Sequence, residues 1–172
     1  MIVMSSKVAQ KSYGTEKRFL CPPPMAVFIG NSWWHEPREG GKLAPPHIVV
    51  SISGEPVPNE GTVEWSGADG SSFDPTLDVP DPSCTTFVGR AVGKQLYISE
   101  ADEKRKKVDA LVHVSTPKMG DEGGRSIGVF KSRPIKVISK PSKKRQSAKN
   151  LECEFLWLPP DTSHLLISPS QL

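Results

Sequence analysis

Cysteine is scarce in this 172-residue chain. Cys21, Cys84 and Cys153 are far apart and odd in number, so they build neither a disulfide framework nor a paired Cys-x-x-Cys metal site. That usage fits a reducing compartment. Long apolar runs are missing too: none approaches the roughly 18–20 residues of a membrane span, and Met1-Ile2-Val3-Met4-Ser5-Ser6 is too short for the apolar part of a secretion signal. The sequence therefore reads as soluble and intracellular, with no membrane partner. Its four histidines, His35, His47, His113 and His164, are scattered with no second ligand at helical spacing, so neither a metal nor another cofactor is expected. The glycine-rich Gly120-Asp121-Glu122-Gly123-Gly124-Arg125 lacks the Gly-Lys-Ser/Thr ending of a phosphate loop, is acidic where phosphate would approach, and reads as a hairpin turn. No Gly-x-Ser-x-Gly elbow occurs, and Cys21 has no nearby base. Catalysis has no candidate residues, and the chain reads as a non-enzyme.

Breakers of regular structure are plentiful, with 17 Pro and 14 Gly, which disfavours long helices and favours short strands joined by turns. The length suits one modest domain. After a polar N-terminus read as disordered over residues 1–11, the first apolar element is Met25-Ala26-Val27-Phe28-Ile29, approached by the rigid Cys21-Pro22-Pro23-Pro24. From about residue 40 to 83 the chain is dense in Pro, Gly, Asp and Ser and reads as a long, mostly mobile loop insertion interrupted by one strand, His47-Ile48-Val49-Val50-Ser51-Ile52. Strand signals then come close together: Thr85–Val88, Gln95–Ser99, Val108–Ser115, Ile127–Phe130 and Ile135–Ile138. Such spacing is that of a sandwich. In the third, Val108, Ala110, Val112 and Val114 share one parity, which marks the core face of a half-buried strand. The polar run Glu100–Lys107 reads as a connection able to hold a helical turn.

Charge is strongly partitioned although the net value is only +3. Residues 1–20 carry +3 and residues 131–150 carry +8, with eight basic side chains and no acid; residues 21–130 carry −5 and residues 151–172 carry −3. A polyanion is thus attracted to two places and repelled elsewhere, as suits a protein that docks nucleic acid in one orientation. Lys143-Lys144-Arg145 alone reads equally well as a nuclear-localisation tract.

Two segments carry a resemblance. Tyr13-Gly14-Thr15-Glu16-Lys17-Arg18-Phe19-Leu20-Cys21-Pro22-Pro23-Pro24 and Arg133-Pro134-Ile135-Lys136-Val137-Ile138-Ser139-Lys140-Pro141-Ser142-Lys143-Lys144-Arg145-Gln146-Ser147-Ala148-Lys149-Asn150 resemble the amino-terminal Rel-homology-like domain of the CSL family. That family includes Suppressor of Hairless and the recombination-signal-binding protein J. Phe28-Ile29-Gly30-Asn31-Ser32-Trp33, Leu96-Tyr97-Ile98-Ser99 with Lys104-Arg105-Lys106, and Ile127-Gly128-Val129-Phe130 also have counterparts there. The likeness covers residues 12–150, with the 40–83 insertion larger than in animal members and closer to fungal ones. It implies an all-β, immunoglobulin-like (Rel-homology, p53-like) sandwich. It further implies a nuclear transcription factor domain that binds double-stranded DNA as a monomer, at a GTGGGAA-like element, with transcriptional co-regulators as further partners. After Asn150 the family continues into strands and domains with no counterpart here, so the sandwich is expected to be incomplete at its C-terminal end. Residues 151–172 read as a tail outside the family, in which Leu151–Leu158 has the composition of a replacement strand.

The resemblance assigns roles residue by residue. The loop matching Tyr13–Phe19 enters the major groove in the family, where the residues matching Glu16 and Arg18 contact DNA. Lys143 matches a DNA-contacting lysine. The chemistry agrees: Arg18 presents a planar fork that fits O6 and N7 of guanine, and Glu16 either holds that fork or accepts from a cytosine amino group. Lys17 is read as a phosphate contact. Lys140, Lys144, Arg145, Gln146 and Lys149 join the site by their charge or position beside Lys143. For Arg18 the plainer reading is a surface ion pair with Glu16, worth ~0–1 kcal/mol; for Tyr13 and Phe19 it is packing that fixes the base of the loop. A reading of another class also stands: a truncated fragment that binds co-regulators, or competes with a full-length factor, without engaging DNA.

Overall fold

A computed structural model describes residues 1–36, 42–58, 61–100, 104–117 and 124–139, and the backbone of 153–157. Twelve strands and one short 3-10 turn, Asn31–Trp33, make up the regular structure of these residues. The all-β expectation holds. One sheet has six strands in the order β12-β1-β3-β7-β5-β6, formed by Cys153–Trp157, Ile2–Ser6, Met25–Ile29, Phe87–Val92, Val63–Gly67 and Ser72–Phe73. A three-stranded sheet, β10-β9-β4, is built from Ser126–Lys131, Ala110–Ser115 and His47–Ile52. A second, β2-β11-β8, is built from Val8–Gln10, Ile135–Ile138 and Lys107–Val108.

Alternation along the strands decides which faces meet. Ile48, Val50 and Ile52 of β4 and Ala110, Val112 and Val114 of β9 turn to one side, where they form one core with Val3, Ala26, Phe28, Trp65, Phe87 and Ala91 of the large sheet. That is the two-layer packing of a β-sandwich. Trp33 bridges the layers, with its ring edge-on to Phe28 at 5.1 Å and to Phe130 of β10 at 6.4 Å. The parity read for residues 108–114 is the observed one, and all four side chains are buried.

Two readings of the sequence are corrected. Residues 1–11 are not a disordered tail: β1 pairs with β3 on one side and β12 on the other, β2 pairs in parallel with β11, and Val3, Ser5 and Ser6 are buried. The hydrogen-bonding partners of β1 come from residues 25–27 and 153–157, so nothing local announced it. Nor is the 40–83 region a mostly mobile loop, since it supplies β4, β5 and β6, and Trp65 is part of the core. Its polar stretches are ordered by repeated Asp-x-Ser/Thr turns. Asp69, Asp74 and Asp81 each accept from the backbone N–H and the hydroxyl two residues on, at 2.6–2.9 Å. Those hydroxyls first, and then the backbone N–H groups, hold the three carboxyls below the usual aspartate range.

Smaller differences have equally local causes. The Gln95–Ser99 segment makes isolated bridges instead of a strand, following Gln95 at φ 58°. The turn between β9 and β10 and the 101–103 connection lie outside the described residues, although β9 and β10 pair antiparallel as a hairpin should. The backbone of Cys153–Trp157 does form a strand, set antiparallel against β1.

At Gly89 of β7 a close approach is required. Trp65 is its cross-strand partner on β5, and a Cβ at position 89 would lie 2.6–2.7 Å from the indole ring. Gly89→Val should therefore destabilise the domain by about 1–3 kcal/mol through overpacking, read as a lower midpoint in a urea melt with an unchanged slope; a midpoint at or above wild type would contradict this packing.

Candidate nucleic-acid interface

The Tyr13–Arg18 loop starts where β2 ends, and it is a tight turn closed by the Glu16 N–H donating to the Tyr13 carbonyl at 3.2 Å. Its two legs are pinned to one strip of chain. On the leading side the Ser12 N–H donates to Ile98 O at 2.9 Å, and on the trailing side the Leu20 N–H donates to Leu96 O at 2.8 Å. Between them the Gly14 N–H reaches Glu100 Oε1 at 3.3 Å and the Arg18 N–H reaches Ser12 Oγ at 2.8 Å. The loop is thus held at both legs, with the Gly14, Glu16 and Arg18 N–H groups bonded within the protein.

Tyr13, Glu16, Lys17 and Phe19 are exposed, and Arg18 is partly buried. The Arg18 guanidinium pairs through Nη2 with Glu16 Oε2 at 3.1 Å, with side-chain exposures of 35% and 64%. This is the ion pair of the plainer reading, and it also holds the fork. A pair so exposed contributes ~0–1 kcal/mol, so exchanging it for a guanine edge costs little. Arg18 Nε is buried without a hydrogen-bond partner among the described residues. Lys17 Nζ lies over the Tyr97 ring, 5.2 Å from its centroid, where a cation–π contact steadies an exposed ammonium. Phe19 packs edge-on against the same ring at 6.4 Å while half of its surface stays exposed. Tyr97 is therefore the platform of the loop. The sequence reading overlooked it, although an aromatic in the Leu-Tyr-Ile-Ser segment was its available signal.

The strand that precedes the second basic run lies beside β2. β11 runs parallel to β2, with Lys136, Val137 and Ile138 opposite Val8, Ala9 and Gln10. The Lys11 N–H donates to Ile138 O at 3.0 Å and Gln10 Nε2 to Ser139 O at 3.2 Å. Parallel pairing brings both chains to the same end of the sheet, one leading into the Tyr13–Arg18 loop and the other ending, among the described residues, at Ser139. Lys140, Lys143, Lys144, Arg145, Gln146 and Lys149 themselves lie outside the described residues.

A family model described as "LAG1, DNA binding" matches residues 1–152. The chain is similar to the recombining binding protein suppressor of hairless-like protein of Mus musculus, with 38% identity over 156 residues covering 87% of this chain and 26% of the relative. Its Homo sapiens counterpart is 39% identical over 152 residues, with the same two coverages of 87% and 26%. Transcription factor cbf12 of Schizosaccharomyces pombe is 24% identical over 151 residues, 80% of this chain and 15% of that protein. The chain spans about a quarter of the length of the mammalian relatives it matches. The match from residue 1 agrees with β1 and β2 being part of the domain.

Proposed function

The chain belongs to the LAG1 DNA-binding (CSL) family, and from that premise we propose that it is the major-groove-reading part of a sequence-specific nuclear transcription factor, acting on a GTGGGAA-like element in double-stranded DNA. The observation that carries this reading is the parallel exit of β2 and β11, which starts the Arg18 loop and the basic 140–149 run from adjacent points. A loop carrying an arginine whose side chain is 35% exposed meets the needs of base recognition, and a cation-rich segment following β11 in the sequence meets those of phosphate neutralisation. Arg18 reads guanine, Glu16 orients the fork or accepts from a cytosine amino group, and Lys17 faces phosphate. Lys143 and its neighbours Lys140, Lys144, Arg145, Gln146 and Lys149 hold the flanking backbone. The chain binds as a monomer and offers its remaining surfaces to co-regulators.

Fluorescence anisotropy of the whole chain on a GTGGGAA-like and a scrambled duplex, at two salt concentrations, tests the proposal. Tighter binding to the specific duplex at both salts is the expected result, and equal affinity for the two overturns it. Lys143→Ala should weaken both duplexes alike and lower the slope of log affinity against log salt by about one. A loss confined to the specific duplex would move Lys143 from phosphate to a base edge.

A second reading, binding of co-regulators without DNA, draws on β10. Among the described residues this strand pairs only with β9, and Ile127 and Val129 are half-exposed along it, as at an edge open to strand addition. The same titration separates the two readings, because a chain of this kind shows no preference between the duplexes.

A further inference from the structure

Behind the loop, and away from its exposed tip, lies a charged cluster that the reading above does not use. Glu55 follows the turn at the end of β4, and its side chain is only 8% exposed. Its Oε1 accepts three hydrogen bonds: from the Ser99 N–H at 3.1 Å, from the Ser99 hydroxyl at 3.1 Å and from Arg105 Nη1 at 2.9 Å. The same guanidinium reaches the carbonyls of Ser53 and Gly54, each at 3.4 Å. Gly54 is in the left-handed region at φ +76°, and a Cβ there would overlap the guanidinium, so the turn is closed tightly around Arg105.

On its other side this cluster holds the strip that carries the loop. Leu96 and Ile98 accept the backbone bonds of the two loop legs, Tyr97 carries Phe19 and Lys17, and Glu100 accepts from Gly14. Ser99 is the member of that strip fixed to Glu55. We infer that Glu55 is a positioning residue for Arg18: by clamping Ser99 against the β4 turn, it sets where residues 96–100, and hence the base-reading loop, stand. This rests on the DNA-reading function proposed above.

The sign of the effect distinguishes positioning from simple charge. A carboxylate repels a polyanion, so removing one that acts only through its charge strengthens binding to any duplex. A positioning carboxylate does the reverse, and only on the sequence that the arginine reads. Charge-assisted bonds to one buried oxygen are strong and directional, and their loss leaves Ser99 unclamped.

The experiment titrates the whole chain as wild type, Glu55→Gln, Ser99→Ala, Arg18→Ala and the Glu55→Gln/Arg18→Ala double variant, on both duplexes, with a thermal melt of each. Glu55→Gln should lower the ratio of specific to scrambled affinity about five- to tenfold, the size of a lost charged hydrogen bond, with scrambled affinity unchanged or slightly higher. In the double variant the ratio should be no lower than in Arg18→Ala alone, because both act through one contact. Ser99→Ala removes a single hydroxyl donor and should lower the ratio about two- to threefold; it carries the test if Glu55→Gln does not fold. If Arg18→Ala collapses the ratio while folded Glu55→Gln and Ser99→Ala leave it intact, or if the Glu55 and Arg18 effects add, the positioning role is wrong. If Arg18→Ala itself leaves the ratio intact, it is the base-reading function that fails.

Discussion

Replacing Arg18 by alanine is expected to weaken binding to a GTGGGAA-like duplex by about 1–3 kcal/mol and to relax base preference at one position, while the folded domain keeps its melting point. Arg18 is tied to the protein by its own backbone N–H and by one exposed ion pair with Glu16 at 3.1 Å. Alanine keeps the backbone bond, and the exposed pair contributes little to stability, so the side chain can be removed at little cost to the fold. On the proposed function, the fork bound to guanine would make two parallel hydrogen bonds, and their loss is what the titration reads. Arg18→Lys should recover only part of the affinity, since an ammonium carries the charge but cannot bridge O6 and N7 together. Equal losses on the specific and scrambled duplexes would sink the base-reading assignment and leave Arg18 as one phosphate contact among several.

What made parts of this fold legible was local periodicity. Met25–Ile29, His47–Ile52 and Ile135–Ile138 appear in the structure with the bounds read from sequence, and the 108–114 valine side is the buried side. Each of these is apolar enough, or alternates clearly enough, to declare itself within a few residues. β1, β2, β5 and β6 do not. Ser5 and Ser6 look like surface residues and are buried because β1 lies between two distant strands, a fact of tertiary pairing that no short window contains. Trp65 sits in a five-residue strand among prolines and aspartates, so the breakers on both sides outweighed its alternation.

The candidate site divides in the same way. The Tyr13–Arg18 turn and the Arg18–Glu16 pair were legible through the resemblance and through the chemistry of a guanidinium two residues from a carboxylate. Its support was not. Arg105 belongs to the run Lys104-Arg105-Lys106-Lys107, which reads as a solvated connection, and nothing local distinguishes the inward arginine from its exposed lysine neighbours. A partner that holds it inward, Glu55, is fifty residues away in sequence. Long-range pairs of this kind are chosen by the packing of the two layers and so become visible only with the fold.

The largest stability loss is expected at Phe87. Its side chain is completely buried, 4.7 Å from the Trp34 ring and 5.3 Å from the Phe73 ring between centroids, with Trp34 in turn 4.8 Å from Trp65. Its backbone is fixed as well, since the N–H donates to Asn31 Oδ1 at 2.7 Å and the carbonyl accepts from the Gly30 N–H at 2.9 Å. Rigid aromatic neighbours on a strand inside the six-stranded sheet cannot close over the space that alanine leaves, so Phe87→Ala should cost about 3–5 kcal/mol. Against a total of about 5–15 kcal/mol that is roughly a fifth or more of the stability of a domain this size. At roughly 2–4 °C per kcal/mol the melt should fall by on the order of 10 °C. Phe87→Leu, which keeps more of the apolar volume, should fall much less. Because Phe87 makes none of the contacts that hold the Tyr13–Arg18 loop, the fraction of Phe87→Ala that is still folded should discriminate between duplexes as well as wild type does. A chain that melts like wild type would show that the aromatic cluster tolerates the cavity. A folded variant that no longer discriminates would mean that the loop takes its position from the centre of the sandwich and not from Glu55 and the strip beside it.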